Sequence, residues 1–450
     1  MNPLELGIIT LIVLFALPLV MQFVIVPMSL VHEVRARRRR RLPSPAAASA
    51  RVSIVVPAYN EERVLANCLN SILLHAAPNA EIIVVDDGSS DRTFEIAQCY
   101  TADPRVTAIT KPNGGKGSAL NAGYELTTGD IILFVDADGV FTAETIPEML
   151  RTFHHSRVGA VCGDDRPMNL DRIQVRFLAI VAHLGTGMVR RALAQLRCLT
   201  IVSGNSGAFR REALDEVAVP RHGVFRTDTI GEDLELTWRI RRAGWQVEFA
   251  PFAVVLAESP STLLGLWKQR VRWARGLLQT LDLHWDAVGN LRYGTFGTFL
   301  IYNMLTMVVL PVVVVTALAT NVILAGVLVG YGVSPFVMAP DAGWLWVLAG
   351  EVAVVLGLVT YAALLDRSAR DLRHAPMLVL WPFYSVFFSL TMVRAIFLQL
   401  GDAPVKWNKL ERTAVNSYAA PALVDRVGAQ RPPLVDRVGA QRRIEIPAVA

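Results

Sequence analysis

The apolar residues of this chain are gathered at its two ends, and that arrangement limits what it can fold into. Gly7 to Val31 is an uncharged apolar stretch of about 25 residues, long enough to cross a hydrocarbon core. Toward the other end, three long apolar segments run from about Phe296 to Val329, Trp344 to Leu365 and Met377 to Leu400. With 53% hydrophobic and 18% charged residues over 450 positions, the chain is too apolar for an ordinary soluble enzyme and too charged for a pure membrane bundle. The expectation is a soluble domain held between membrane-spanning ends.

Basic residues orient this layout. Arg35 and Arg37 to Arg41 follow the first apolar stretch, and Arg367, Arg370 and Arg373 lie between the last two. By the positive-inside rule both groups stay cytoplasmic, which turns the N-terminus outward and gives a multi-pass cell-membrane protein with its central domain in the cytoplasm. An arginine cluster on a chain of net charge +5 also raises nucleic-acid binding, but the adjoining apolar segment accounts for it better and no nucleic-acid partner is expected. The flank before Gly7 has no basic region, and no small-residue cleavage site follows the stretch. Pro311 predicts tilt or a kink in its segment. Arg394 fits poorly in a simple span, since an intramembrane charge faces protein or water, and it leaves the side of the C-terminus open.

The remaining segments divide the chain into an N-terminal span (1–34), a basic linker (35–51), an α/β domain (52–260), an amphipathic segment (261–292), about three spans (293–400) and a tail (401–450). In the α/β part, Val52–Val56, Glu81–Val85 and Ile131–Val135 are short apolar runs separated by helix-like stretches. Continuous apolar strands alternating with helices indicate a parallel sheet covered on both faces, with ligands bound beyond the carboxyl ends of its strands. After Pro260, leucines and Trp267 interleave with Lys268, Arg270, Arg272 and Arg275, as expected of an interfacial helix or of an ordinary surface helix. The tail repeats Pro421–Arg431 as Pro432–Arg442 with one change, a polar pattern most simply disordered. Cys68, Cys99, Cys162 and Cys198 lack zinc-ligand spacing and read as reduced thiols.

Carboxylates fall where that sheet would bind a ligand. Asp136-Ala137-Asp138 follows one apolar strand and Asp86-Asp87-Gly88-Ser89 another. Hard oxygen donors of this kind suit Mg²⁺ or Mn²⁺, which neutralises a nucleotide diphosphate. Asn113-Gly114-Gly115-Lys116-Gly117 could bring backbone N–H groups and a lysine to phosphate, or could be only a turn; it has neither Walker nor dinucleotide spacing. Gly231-Glu232-Asp233 opens a helix-like run, where an acidic pair either caps the helix or deprotonates an acceptor hydroxyl. In Gln269-x-x-Arg272-Trp273 the guanidinium suits a leaving diphosphate and the indole a sugar ring. The small residues of Ser203-Gly204-Asn205-Ser206-Gly207 would leave room for an acceptor.

In this order, Pro57-Ala58-Tyr59-Asn60-Glu61, Asp86-Asp87-Gly88-Ser89, Asp136-x-Asp138, Gly231-Glu232-Asp233 and Gln269-x-x-Arg272-Trp273 resemble the membrane-bound family-2 glycosyltransferases, which include the synthases of cellulose, chitin, hyaluronan and poly-N-acetylglucosamine. The run Gly265–Ala274 looks most like the bacterial poly-β-1,6-N-acetylglucosamine synthases. The resemblance implies a Rossmann-like GT-A fold, a UDP-sugar donor and Mg²⁺ or Mn²⁺. It places Pro57, Tyr59, Glu61, Asp86, Asp87, Lys116 and Asp136 at the donor and Asp138 with Asp136 at metal and diphosphate. Asp233, with Glu232, is implied as the catalytic base, and Gln269, Arg272 and Trp273 as the contacts to acceptor and diphosphate. Two departures stand out. Gly231 stands where many relatives have Thr, which puts acceptor contacts and linkage in doubt, and there is one N-terminal span where such synthases usually have two.

The expected activity is inverting, processive polymerisation of a β-linked polysaccharide from a UDP-sugar, UDP-N-acetylglucosamine being the best guess. Its partners would be a growing glycan or lipid acceptor, the bilayer and possible accessory export subunits. Two alternatives stay open: transfer of one sugar to a lipid or short glycan, and an inactive nucleotide-sugar-binding membrane protein.

Overall fold

The computed structural model of the protein describes residues 3–42, 44, 49–332, 343–401, 403 and 412–415. The repeated segment 421–442 lies outside them. Eight strands form one sheet: β1 (Val52–Ala58), β2 (Glu81–Asp86), β3 (Val106–Thr110), β4 (Ile131–Phe134), β5 (Val140–Phe141), β6 (Val158–Pro167), β7 (Gly207–Arg210) and β8 (Gln246–Ala257). Their order is β3-β2-β1-β4-β7-β6-β8-β5.

Both faces of this sheet are covered, which is why its central strands read as unbroken apolar runs. Ile131 and Leu133 of β4 pack into one core with Ile54, Val56 and Leu69, while Ile132 and Phe134 pack into the other with Val55, Phe209 and Phe249. The expected parallel arrangement holds for β3-β2-β1-β4. It fails at β7, which runs antiparallel to both β4 and β6, and at β5, antiparallel to β8, while β6 and β8 again pair in parallel. The direction of β7 follows from where the chain enters it. Gly207 pairs with Phe134, so the Ser203–Ser206 loop arrives at the carboxyl edge of the sheet and the strand must run back from there. The strand order reverses between β1 and β4, and the crevice at such a switch point is where an α/β sheet binds its ligand. Pro57 fits near that crevice because β4 pairs with β1 only as far as Val55, beyond which no ladder donor is required.

The longer helices used below are α1 (Pro3–Arg40), α2 (Lys116–Glu125), α3 (Glu232–Arg242), α4 (Leu263–Leu283), α5 (Leu310–Gly330), α6 (Gly343–Leu365) and α7 (Trp381–Leu400). Helix α1 continues unbroken through the arginine cluster. Arg40 pairs there with Glu144 (2.5 Å) and Glu148 (2.9 Å), so the cluster docks on the α/β domain. Thr295–Val327 and Ala369–Leu400 are long and apolar enough to cross a membrane, and only 6% and 17% of their most apolar 18-residue stretches are buried. A π-helical turn, Leu305–Val309, precedes Pro311, a common site of helix irregularity. Ile173–Gln195 also passes on length and composition, but 61% of its most apolar stretch is buried within the protein.

The last apolar segment, in which Arg394 sits poorly with a simple span, packs one side against the protein. Helix α7 lies lengthwise along α4: Trp267 meets Phe387 edge-on at 5.4 Å, Ala274 packs with Met392 and Ala395, and the Arg275 guanidinium donates to the Ala403 carbonyl (2.7 Å). At its other end Trp381 rests on Phe177 (6.3 Å). Both ends of α7 therefore contact the domain side of the molecule. All four cysteines are free; Cys99 is exposed, and Cys68, Cys162 and Cys198 are buried.

Candidate active site

At the ends of β1 and β2, polar side chains hold loops in place. Asp86 accepts from the Thr110 hydroxyl (2.7 Å) and the Ser89 amide (3.2 Å). Asp87, fully buried, accepts from Lys111 Nζ (2.7 Å) and from the amides of Gly114 (3.0 Å) and Gly115 (2.8 Å). Two backbone donors of the glycine-rich loop are thus taken by a strand-end carboxylate, and α2 starts with Lys116 directly behind them. Across the crevice, the Asn60 side chain accepts from the Ser90 amide (2.7 Å) and the Glu61 amide donates to Thr93 Oγ1 (2.7 Å). Pro57 is buried in β1 and Tyr59 is half-buried just past it.

Lys116 gathers the rest. Its ammonium lies 2.6 Å from Asp136 Oδ1 and 3.5 Å from Glu232 Oε1, with Asp233 in electrostatic reach. Burial opposes the charge on this lysine, but the three carboxylates outweigh burial and hold its pKa above the ordinary value. Glu232 is buried, which raises its pKa; neighbouring Asp233 adds to the rise, and Lys116 and Arg272 act against it. The Asp233 carboxylate accepts from the Leu234 amide (2.8 Å) at the start of α3 and from the Gly204 amide (3.2 Å). It therefore engages the helix end and the Ser203–Gly207 loop together.

Asp138 is 5% exposed. Burial raises its pKa, Arg412 opposes that rise, and Asp136 and Glu258 add to it. Arg412 donates from Nη1 to Asp138 Oδ2 (2.6 Å) and from Nε to Glu61 Oε2 (3.2 Å). Arg412 belongs to the segment read from sequence as a tail, and neither it nor Glu258 was among the expected site residues. Among the described residues Glu258 Oε1 and Asn205 Oδ1 are buried acceptors without a hydrogen-bond partner, and Asn205 Oδ1 lies against Gly139, beside Asp138. With Asp136 and Asp138 they form a hard-oxygen donor set that fits Mg²⁺ or Mn²⁺. Among the described residues no group of three or more His, Cys, Asp or Glu side chains is placed to hold a metal ion by itself.

Helix α4 reaches this cluster through a backbone contact. A Cβ on Gly231 would stand 2.9 Å from Gly276 Cα, so α3 and α4 meet glycine to glycine. This is a packing reason for glycine at 231, the position where the sequence departs from many relatives. The contact sets Arg272 within electrostatic reach of Glu232. Gln269 and Arg272 are half-buried, whereas Trp273 is 51% exposed and carries the Arg270 guanidinium 4.3 Å over its ring. The structure thus brings together Glu61, Lys116, Asp136, Asp138, Glu232, Asp233 and Arg272. Asp86 and Asp87 stand at the neighbouring strand end, and Trp273 remains at the rim.

Known proteins are similar to this chain in sequence and fold. The family model described as glycosyl transferase family 2 matches residues 53–217. Poly-beta-1,6-N-acetyl-D-glucosamine synthase of Staphylococcus aureus is 30% identical over 227 residues, covering 50% of this chain and 54% of that one. Its Staphylococcus epidermidis counterpart is 31% identical over the same shares. The chain spans about half the length of the curated relatives it matches. Among solved structures, a mannosyltransferase from Pyrobaculum calidifontis in complex with GDP-Man and Mn²⁺ has a TM-score of 0.56 at 22% identity, covering 87% of this chain and 100% of that one. Motifs, sheet and comparisons agree on residues 53–217 as a stretch similar to glycosyl transferase family 2, on a GT-A-like α/β fold.

Proposed function

We propose that the protein is a membrane-embedded, inverting and processive synthase that builds a β-linked polysaccharide from a UDP-sugar, with UDP-N-acetylglucosamine as the favoured donor. The observation that carries the reading is the convergence on Lys116 of Asp136, from the strand end, with Glu232 and Asp233, from the start of α3.

In this reading Pro57, Tyr59, Glu61, Asp86 and Asp87 border the nucleotide pocket, and Lys116 faces the diphosphate. Asp138 and Asp136 would hold Mg²⁺ or Mn²⁺, which supplies positive charge to the leaving diphosphate. Asp233 takes the proton from the attacking acceptor hydroxyl as that oxygen bonds to the anomeric carbon and the bond to the diphosphate breaks, a single displacement that inverts the centre. Glu232 keeps Lys116 oriented beside it. Arg272, with Gln269, stabilises the departing diphosphate, and Trp273 offers an apolar face to the sugar at the acceptor terminus. The reading is supported by the likeness to poly-N-acetylglucosamine synthases over half the chain.

The bilayer would be crossed by α1 and by the pair Thr295–Val327 and α6, with the catalytic domain on the cytoplasmic side beside the basic residues. Helix α7, held along α4 at both ends, would lie in the interface and keep the C-terminal segment on the catalytic side. Accessory export subunits would take up the product.

Product length tests the proposal. Membranes carrying the protein, given UDP-N-acetylglucosamine and Mn²⁺, should yield long polymer that a β-linkage-specific glycosidase digests. A uniform one-sugar product would replace it with single transfer to a lipid or short glycan, and no donor turnover would leave only a nucleotide-sugar-binding role.

A further inference from the structure

The part of α4 beyond Trp273 has no role in the chemistry outlined above, yet it holds the segment that leads into Asp233. Gln269, Arg272, Gly276 and Gln279 fall at i, i+3, i+7 and i+10, on one face of the helix. Gly276 meets Gly231, and one turn further on Gln279 Oε1 accepts from the Ile230 amide (3.0 Å) and from Thr229 Oγ1 (3.1 Å). A backbone N–H can only donate, so Ile230 fixes which end of the Gln279 carboxamide faces the segment. Thr229 is buried, and its hydroxyl accepts in turn from the Gly231 amide (3.2 Å). The backbone donors of Ile230 and Gly231 thus end on one side chain of α4, the first directly and the second through a hydroxyl.

We propose that Gln279, acting through Thr229, is a positioning residue that sets where Asp233 stands relative to Arg272. This rests on the reading of Asp233 as the base of sugar transfer. The Asp233 carboxylate is bound to the Leu234 and Gly204 amides at the start of α3, so its place follows that of the first helical turn. Arg272 rides on α4. The contact of Gly231 with Gly276 lets the two helices approach but fixes no direction, whereas the Gln279 hydrogen bonds do. A second tie further along, Glu235 with His284 (3.2 Å), keeps α3 on the end of α4 when Gln279 is replaced. Loss of the Gln279 acceptor therefore loosens the turn that aims Asp233 without detaching the helix. A displacement of about 1 Å at a reacting group lowers the rate about a hundredfold.

Amide hydrogen exchange on full-length protein in nanodiscs, without substrate, reads the tie directly. Peptides covering 229–234 should exchange about tenfold faster in Gln279→Met, which keeps the bulk of the side chain but not its acceptor, and near the parental rate in Gln279→Glu. In polymer synthesis from UDP-N-acetylglucosamine and Mn²⁺, Gln279→Met should lower kcat about a hundredfold and leave KM for the donor within about twofold of the parent. Thr229→Val should do the same, and Thr229→Ser should recover most of kcat. The double variant Gln279→Met with Thr229→Val should fall no further than the worse single one, as residues acting in one network do. Unchanged exchange or parental kcat in Gln279→Met, or single losses that multiply in the double variant, would overturn the proposal. Exchange needs no turnover, so a parent that makes no product would sink the synthase reading, while the exchange rates decide the tie by themselves.

Discussion

Lys116 concentrates the electrostatics of the site in one side chain. It is 11% exposed and neutralises Asp136 and Glu232 directly, so Lys116→Met should leave like charges facing one another in a partly buried crevice. Removing one partner of such a cluster costs about 3 kcal/mol. The variant should melt several degrees lower and lose UDP affinity, while Lys116→Arg recovers most of the melting temperature; an unchanged melting curve for Lys116→Met would contradict the role given to it. Most of this cluster is legible in the sequence because position along the chain reports position on the sheet. Asp86, Asp87, Asp136 and Asp138 each follow an apolar strand, and Glu232 and Asp233 open an amphipathic helix. Glu258 carries the same sign, directly after β8, yet falls outside the expected set; Arg412 carries none. Arg412 reaches the site only through tertiary packing, and an arginine in a polar stretch is indistinguishable in sequence from a solvated one.

At the scale of elements, the meeting of α3 and α4 decides whether Arg272 reaches Glu232. Gly276→Ala would place a methyl group against the Gly231 backbone, where separation is already at the limit. Overpacking of this kind costs about 1–3 kcal/mol and moves the helices apart. The expected outcome is a loss of activity larger than the loss of stability, read as kcat against melting temperature; full kcat in Gly276→Ala would show that the helix spacing is unimportant. Apolar content located the helices but not their surroundings. Ile173–Gln195 is apolar because protein buries it, so hydropathy alone cannot separate it from a lipid-facing span, whereas α7 packs one side on α4 and leaves Phe383, Phe397 and Leu400 exposed.

A second element-scale prediction concerns the joint between the helices and the domain. His183 bridges Asp366 (2.7 Å) and Asp371 (3.1 Å), and Arg191 bridges Glu33 of α1 (2.9 Å) and Asp366 (2.5 Å). Burial disfavours the charged imidazole, but its hydrogen bonds to the two aspartates prevail and raise the pKa from near 6.5 to about 9. A raised histidine pKa stabilises the fold fully below its unfolded value, and the contribution fades as pH rises through the folded value. The gap in melting temperature between the parent and His183→Gln should therefore be widest near pH 6.5 and shrink by pH 9. A gap independent of pH would show that the imidazolium contributes nothing there.

Across the whole molecule, the α/β domain is joined to its apolar ends by charge rather than by length of linker. The arginines after the first apolar stretch pair with Glu144 and Glu148 of the domain, and the turn after α6 joins the His183 network. A catalytic edge fixed in this way relative to the apolar helices suits an enzyme whose product leaves through or along a bilayer. The parallel half of the sheet and its ligand edge were legible in the alternation of apolar runs and helices; the antiparallel return through β7 was not, because that four-residue strand has too little pattern to register. The central claim is that Asp233 is the base of a polymerising, inverting transfer. Its most direct test is polymer synthesis by Asp233→Asn membranes supplied with UDP-N-acetylglucosamine and Mn²⁺, alongside UDP binding by the same protein. The account predicts UDP binding close to the parent and polymer reduced by at least about a thousandfold, the order lost with an essential general base; polymer made at the parental rate would contradict it.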